Sequence, residues 1–250
     1  LPESPRFLVA RGDVDKASQV LLDFTGEPDV NLRIQQIRTS LEREDRESLR
    51  DLLGSRLGLK PIVWVGILLS VFQQFVGINV IFYYSTTLWR SVGFDESDAL
   101  LTSVITSVTN ILVTIVAIVL VDRVGRRLML LVGSAVMAVS LGTMALAFSF
   151  ATLDGDGQAV LEAPWSTIAL IAANLFVVGF GATWGPVVWV LLGEMFPNRI
   201  RAGALAVAAA AQWLANFVIS TTFPIFAEIG LTFAYGFYAA FAALSFVFVL

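Results

Sequence analysis

This sequence predicts an all-α membrane protein, a charged opening segment followed by six transmembrane helices. Three observations carry that prediction. Of the 250 residues, 57% are hydrophobic and 14% charged, against roughly 45–50% and about 25% in ordinary soluble domains. The charge is segregated: residues 1–60 hold ten of the sixteen Lys and Arg and eleven of the twenty Asp and Glu. Beyond them, apolar runs of spanning length, about 20 residues each, follow one another with short polar interruptions.

In the opening segment, Asp15–Phe24 and Val30–Leu53 place apolar side chains (Leu32, Ile34, Ile37, Leu41) at helical spacing among mixed charges. That is the pattern of short amphipathic helices, although a solvated linker has the same composition. Spans are expected at 61–84, 99–121, 128–150, 165–191, 202–226 and 231–250. The linkers are Arg90–Asp98, Asp122–Arg127, Asp154–Pro164, Gly193–Arg201 and Ala227–Gly230. With residues 1–60 in the cytoplasm, fifteen of the sixteen basic residues fall on that side and only Arg90 lies outside, beside Asp95, Glu96 and Asp98. This is the positive-inside bias of a multi-pass cell-membrane protein. The chain opens within a loop motif and its last apolar run reaches Leu250, so it is expected to be a piece of a longer protein.

Cysteine and histidine are absent, which excludes disulfides, thiol nucleophiles and His-based metal sites or general bases. An enzyme would need carboxylates inside the spans, and none is placed at mid-depth. Nothing calls for a cofactor, a metal or a nucleic acid. The informative residues are uncharged polar groups within apolar runs, which are costly in a bilayer unless they pair, face a cavity or bind something.

The first span carries Gln73, Gln74, Gly77, Asn79 and Tyr83. Gln73 and Gly77 share one helical face, as do Asn79 and Tyr83; Gly77 permits close backbone approach or unwinding. Adjacent carboxamides offer donors and acceptors without charge, which suits a neutral polyhydroxylated ligand and equally suits interhelical bonding. The second span has a polar stripe of Ser103, Thr106, Ser107, Asn110 and Thr114, readable as a cavity wall or as a packing seam, with Asn110 the candidate ligand contact. The fourth carries Gly179, Gly181, Gly185 and Pro186 before Trp189, residues that weaken the helical ladder, as in the discontinuous helices of transporters. The fifth repeats the amide-plus-aromatic theme in Gln212, Trp213 and Asn216. At the cytoplasmic ends, Glu194 directly follows an apolar run, and Arg123 or Arg126 is its expected partner in a latch.

Taken in order, Pro2–Arg6, Gln73–Asn79, Asp122–Arg127, Gly185–Trp189 and Glu194–Arg201 resemble the sugar porter family of the major facilitator superfamily over essentially the whole chain. The wording around Gln212–Phe217 is similar to bacterial xylose/proton symporters, and facilitative glucose transporters share much of the pattern. The resemblance implies the six-helix C-terminal half of a twelve-helix bundle, preceded by short cytoplasmic helices. Its partners would be a monosaccharide, the bilayer and the missing N-terminal six-helix half. It implies hexose or pentose transport by alternating access, by proton symport or as a facilitative uniporter; a transport-incompetent sensor shares the fold. The family's sugar contacts fall on Gln73, Gln74, Asn79, Tyr83, Asn110, Gly185, Trp189, Gln212 and Trp213. Its cytoplasmic charge network falls on Glu3, Arg6, Arg123, Arg126, Arg127, Glu194 and Arg201.

Overall fold

The computed structural model describes residues 2–25, 29–44, 49–54, 58–91, 93, 95–153 and 159–250. Parts of three expected segments (45–48 of the second amphipathic stretch, 92 and 94 of the first linker, 154–158 of the third) lie outside the described residues. The chain divides into two compact units, Leu1–Leu59 with Pro197–Gly203, and Lys60–Phe196 with Ala204–Leu250.

In the first unit, α1 (Pro5–Ala10) has proline at its start, and Ser4 accepts the Phe7 N–H at 3.3 Å as its N-cap, an arrangement suited to the unpaired donors of a helix start. α2 (Val14–Val20) runs into a π-helical turn, Leu21–Thr25, and α3 (Val30–Glu44) follows. Their core is Leu8, Val9, Ala17, Leu21 and Ile34, flanked by Val14, Val20, Val30, Ile37 and Leu41. Two details differ from the sequence expectation. Leu32 points outward at 52% exposure, because the buried row of α3 runs through Val30, Ile34, Ile37 and Leu41, and a residue two positions from Ile34 lies on the opposite face. The stretch 30–53 is also not one helix: α3 stops at Glu44 and a 3-10 turn covers Leu49–Leu52. That turn packs on a second one, Asn198–Ile200. Leu52 and Ile200 are buried, and Arg199 holds Asp51 through two hydrogen bonds of 2.8 and 3.4 Å. Neither partner was singled out from sequence.

The second unit contains α4 (Pro61–Phe75), α5 (Ile78–Tyr83), α6 (Ser85–Ser91), α7 (Glu96–Val124), α8 (Arg126–Phe148), α9 (Trp165–Gly181), α10 (Trp184–Met195), α11 (Arg201–Ile229) and α12 (Leu231–Val249). Six stretches are long and apolar enough to cross a membrane: Pro61–Tyr83, Glu96–Val124, Arg126–Phe148, Trp165–Met195, Asn198–Ile229 and Leu231–Val249. Each boundary lies within four residues of its expected position. A short antiparallel pair, β1 (Thr152–Leu153) and β2 (Ala159–Val160), lies between α8 and α9.

Asp95 caps α7, accepting the Asp98 N–H at 2.9 Å. That bond, with a second from the Ser97 hydroxyl, holds its carboxyl below the usual aspartate range. The linker expected at Asp122–Arg127 is nearly absent. Asp122 and Arg123 finish α7, Arg126 and Arg127 begin α8, and Gly125 alone turns the chain at φ +90°, a conformation that disfavours any side chain. α8 packs along α12 and α9, with the Ser134 and Ser245 hydroxyls 2.8 Å apart between α8 and α12. α7 instead turns Val104, Ile105, Ile111, Leu112 and Ile115 outward.

Candidate functional site

Two spans are broken part-way, each for a local reason. α4 ends at Phe75, Gly77 takes φ +82°, and α5 begins at Ile78. A Cβ on Gly77 would be strained there and would also lie 2.8 Å from the Tyr238 ring on α12, so glycine is required twice over. In the other broken span, α9 stops at Gly181, Thr183 takes φ −137° and ψ −87°, and α10 starts at Trp184. Pro186 has no N–H for the preceding turn. Thr183 donates its hydroxyl to the Gly179 carbonyl at 2.6 Å and occupies the slot left by Gly133 of α8, where a Cβ would collide with it.

Backbone that leaves the helix at bilayer depth is tolerated where it is buried in protein or lines a cavity. A cavity of about 400 Å³ lies against both breaks, within the range of about 300–1,000 Å³ usual for small-molecule sites. It is lined by all nine residues expected from sequence: Gln73 and Gln74 of α4, Asn79 and Tyr83 of α5, Asn110 of α7, Gly185 and Trp189 of α10, Gln212 and Trp213 of α11. Ile78, Phe82, Phe180 and Asn216 complete the lining, which contains no charged residue. Asn216 had a sequence signal, one helical turn after Gln212. Phe180 sits between two of the glycines already noted, while Ile78 and Phe82 had none.

The amides are oriented by their partners. Gln73 donates through Nε2 to the Trp184 and Gly185 carbonyls at 2.9 and 3.1 Å. Asn79 donates to Gln74 Oε1 at 2.7 Å and to Asn216 Oδ1 at 2.9 Å; Ser220 also donates to Asn216, at 3.1 Å. Tyr84 donates to the Ser220 carbonyl at 3.1 Å, so α11 holds the upper part of this span at two levels. Gln73 Oε1, Asn110 Oδ1 and Gln212 Oε1 are buried with no hydrogen-bond partner among the described residues. Four other buried polar atoms are also unpaired, on Ser70, Trp89, Ser140 and Tyr238, but every unpaired carboxamide oxygen belongs to a cavity residue. Gly181 makes room for Asn110, since a Cβ there would lie 2.5 Å from Asn110 Oδ1. Trp189 and Trp213 are 44% and 65% exposed, leaving aromatic surface open beside the amides.

The polar stripe of α7 divides. Thr106 bonds Asn174 of α9 at 3.2 Å and Thr114 reaches the Gly181 carbonyl at 3.4 Å. Ser103 and Ser107 bond carbonyls of their own helix. Only Asn110 of the five lines the cavity.

Of the expected charge network, Glu194 takes Arg126 rather than Arg123. Two hydrogen bonds of 2.6 and 3.0 Å join them, Asp122 adds a third contact at 2.7 Å, and the Val121 carbonyl accepts from the same guanidinium. Arg127 instead donates to the Val249 and Leu250 carbonyls at the end of α12. Arg123 is exposed and forms no ion pair among the described residues. Glu3, Arg6 and Arg201 are exposed residues of the first unit.

Residues 1–250 match the family model described as "Sugar (and other) transporter". The chain is 53% identical over 250 residues to the "Glucose transport protein" of Synechocystis sp., covering all of this chain and 53% of that protein. It is 39% identical over 225 residues to the "D-xylose-proton symporter" of Escherichia coli (strain K12), covering 90% of this chain and 43% of the relative. Among solved structures, the partially occluded, inward-open xylose transporter XylE of E. coli superposes with a TM-score of 0.76 at 34% identity, over 99% of this chain and 48% of that one. The chain thus spans about half the length of the curated relatives it matches.

Proposed function

The chain belongs to the sugar (and other) transporter family, and from that premise we propose that it supplies the ligand-binding half of a monosaccharide transporter. The observation that carries this reading is one cavity whose described lining is uncharged and gathers the carboxamides of Gln73, Gln74, Asn79, Asn110, Gln212 and Asn216 beside two tryptophans. Carboxamides offer donors and acceptors without charge, which matches a ligand rich in O–H groups. The open faces of Trp189 and Trp213 suit the C–H side of a sugar ring, which an ion or a small amide lacks. The nine lining residues singled out from sequence are the proposed contacts. No step of bond-making is assigned to them: the protein moves its ligand unchanged.

The proposal extends to topology. Residues 1–60, which hold ten of the sixteen basic residues, face the cytoplasm, and the Arg126–Glu194 pair closes the cytoplasmic side of the helical bundle. A six-helix half that completes the carrier seals the apolar face of α7. The relatives include a proton symporter, and this chain is proposed to work in the same mode. Counterflow in proteoliposomes of the complete transporter tests both levels. Exchange of at least one hexose or pentose is expected, and accumulation should follow an imposed pH gradient. Counterflow indifferent to that gradient would replace symport with uniport, while absence of exchange across a full sugar panel would remove the function.

A further inference from the structure

Gln73 was expected to be one sugar contact among nine, yet its geometry gives it a second task. Its side chain is 2% exposed, and its two close partners, the Trp184 and Gly185 carbonyls, are both pure acceptors. Only an amide N–H₂ satisfies two carbonyls, so the orientation of this carboxamide is fixed by chemistry: nitrogen toward α10, oxygen away from it. In a regular helix those two carbonyls receive the N–H groups of Val188 and Trp189. Gln73 therefore grips the first turn of α10, at the point where the span has lost helical continuity, through the peptide groups that lead to Trp189.

The opposite side of the break is held as firmly. The Trp184 indole, fully buried, donates to the Leu130 carbonyl and the Ser134 hydroxyl, each at 3.0 Å, and Ser134 meets Ser245. Thr183 fills the Gly133 slot. The first turn of α10 is thus held by α8 on one side and by the Gln73 side chain of α4 on the other. The α8 contacts do not involve the cavity lining, whereas Gln73 belongs to it.

We propose that Gln73 is a positioning residue: by holding the Trp184 and Gly185 carbonyls it sets where Gly185 and Trp189 stand in the cavity, so much of its effect on the ligand passes through Trp189. The inference rests on the sugar-site reading for its ligand and on the hydrogen-bond geometry for its mechanism. Two measurements on the complete transporter separate them. In the ligand-free protein, Gln73→Met should raise amide hydrogen exchange across residues 184–190 by roughly fivefold or more as the turn loosens, while Gln74→Met leaves that segment unchanged. Unaltered exchange in Gln73→Met would overturn the tether whatever the ligand proves to be.

The second measurement is a double-mutant cycle on monosaccharide affinity. The affinity lost in Gln73→Met should be at least about fivefold larger when Trp189 is present than in a Trp189→Ala background, where only the direct contact of Gln73 is left to lose, because coupled residues are non-additive. Equal losses in both backgrounds would mean that Gln73 acts by its own contact alone and would overturn the positioning role. Gln73→Ala, which removes both donors and adds no charge, serves as the second variant if the methionine protein does not fold, with the same outcomes expected. A wild-type protein that binds no monosaccharide would sink the sugar site, and the exchange measurement would still decide the tether.

Discussion

α8 and α12 run unbroken and pack on each other more extensively than any other pair of helices, whereas the spans formed by α4–α5 and α9–α10 each stop part-way and start again. Both regions carry glycines and buried polar side chains, but they use them differently. In the paired helices, Gly133 admits the Thr183 side chain, and the Ser134 hydroxyl is shared between Ser245 and the Trp184 indole. In the broken spans, Gly77 allows a left-handed turn, and three carboxamides of the cavity lining keep buried oxygens without partners. Satisfied polar groups specify how helices meet; unsatisfied ones at a cavity wall are where a ligand gains affinity. Residue type alone does not separate the two regions, and α8 and α12 keep unpaired hydroxyls of their own on Ser140 and Tyr238; what sets the broken spans apart is that their unpaired groups include carboxamides of the cavity lining.

The comparison breaks most severely at Gly133. A valine there would drive Thr183 from its slot and disturb the bond from Thr183 to the Gly179 carbonyl. Overpacking at so enclosed a position should lower stability by about 3 kcal/mol, read as a fall in the thermal unfolding midpoint of the purified protein. A Gly133→Val protein with unchanged unfolding would mean that the Thr183 side chain does not depend on the Gly133 slot. The broken spans should respond in the opposite currency. Gln74→Ala and Trp189→Ala are expected to weaken monosaccharide binding by about 1–3 kcal/mol, roughly 5- to 150-fold, with the unfolding midpoint little changed. Unaltered affinity in both variants would return these residues to a packing role and erase the contrast.

How much of this is legible in the sequence depends on how local each property is. Apolar length is local, so the spans lie within four residues of expectation. The weakness of the ladder at Gly77 and around Pro186 is local as well, and both breaks occur there. Which face of a helix meets which neighbour is not local. Ser103, Thr106, Ser107, Asn110 and Thr114 form one stripe in sequence but divide among packing, self-bonding and cavity lining, because α9 covers only part of that face. Leu32 fits a helical row in sequence and still faces outward, since the row that α3 buries is set by α1 and α2. The Asp51–Arg199 pair, 148 positions apart, had no sequence signal at all. The grip of Gln73 on two carbonyls of α10 was invisible for a similar reason: peptide groups carry no residue-type mark, and only the folded chain brings them within reach.

The mildest test concerns the far end of the broken span. α8 touches α10 twice, through the buried contacts at Thr183 and Trp184, and through Arg126 on Glu194, where the side chains are 27% and 49% exposed. Water screens the second link and not the first, and exposed ion pairs contribute little, which suits the latch proposed for that pair. Glu194→Gln removes the charge while Arg126 keeps Asp122 and the Val121 carbonyl, so the fold should persist and only the balance of conformations should move. These 250 residues contain no cysteine, and a side chain at Gly193 would meet nothing within 4 Å, so Gly193→Cys, read against the same protein without it, provides the reporter. A membrane-impermeant maleimide applied from the cytoplasmic side should label it roughly two- to fivefold faster in the Glu194→Gln background, and high salt should narrow the gap by speeding the parent more than the variant. Equal labelling at every ionic strength would show that the pair marks topology without latching anything, and the exposed link would then no longer differ in purpose from the buried one.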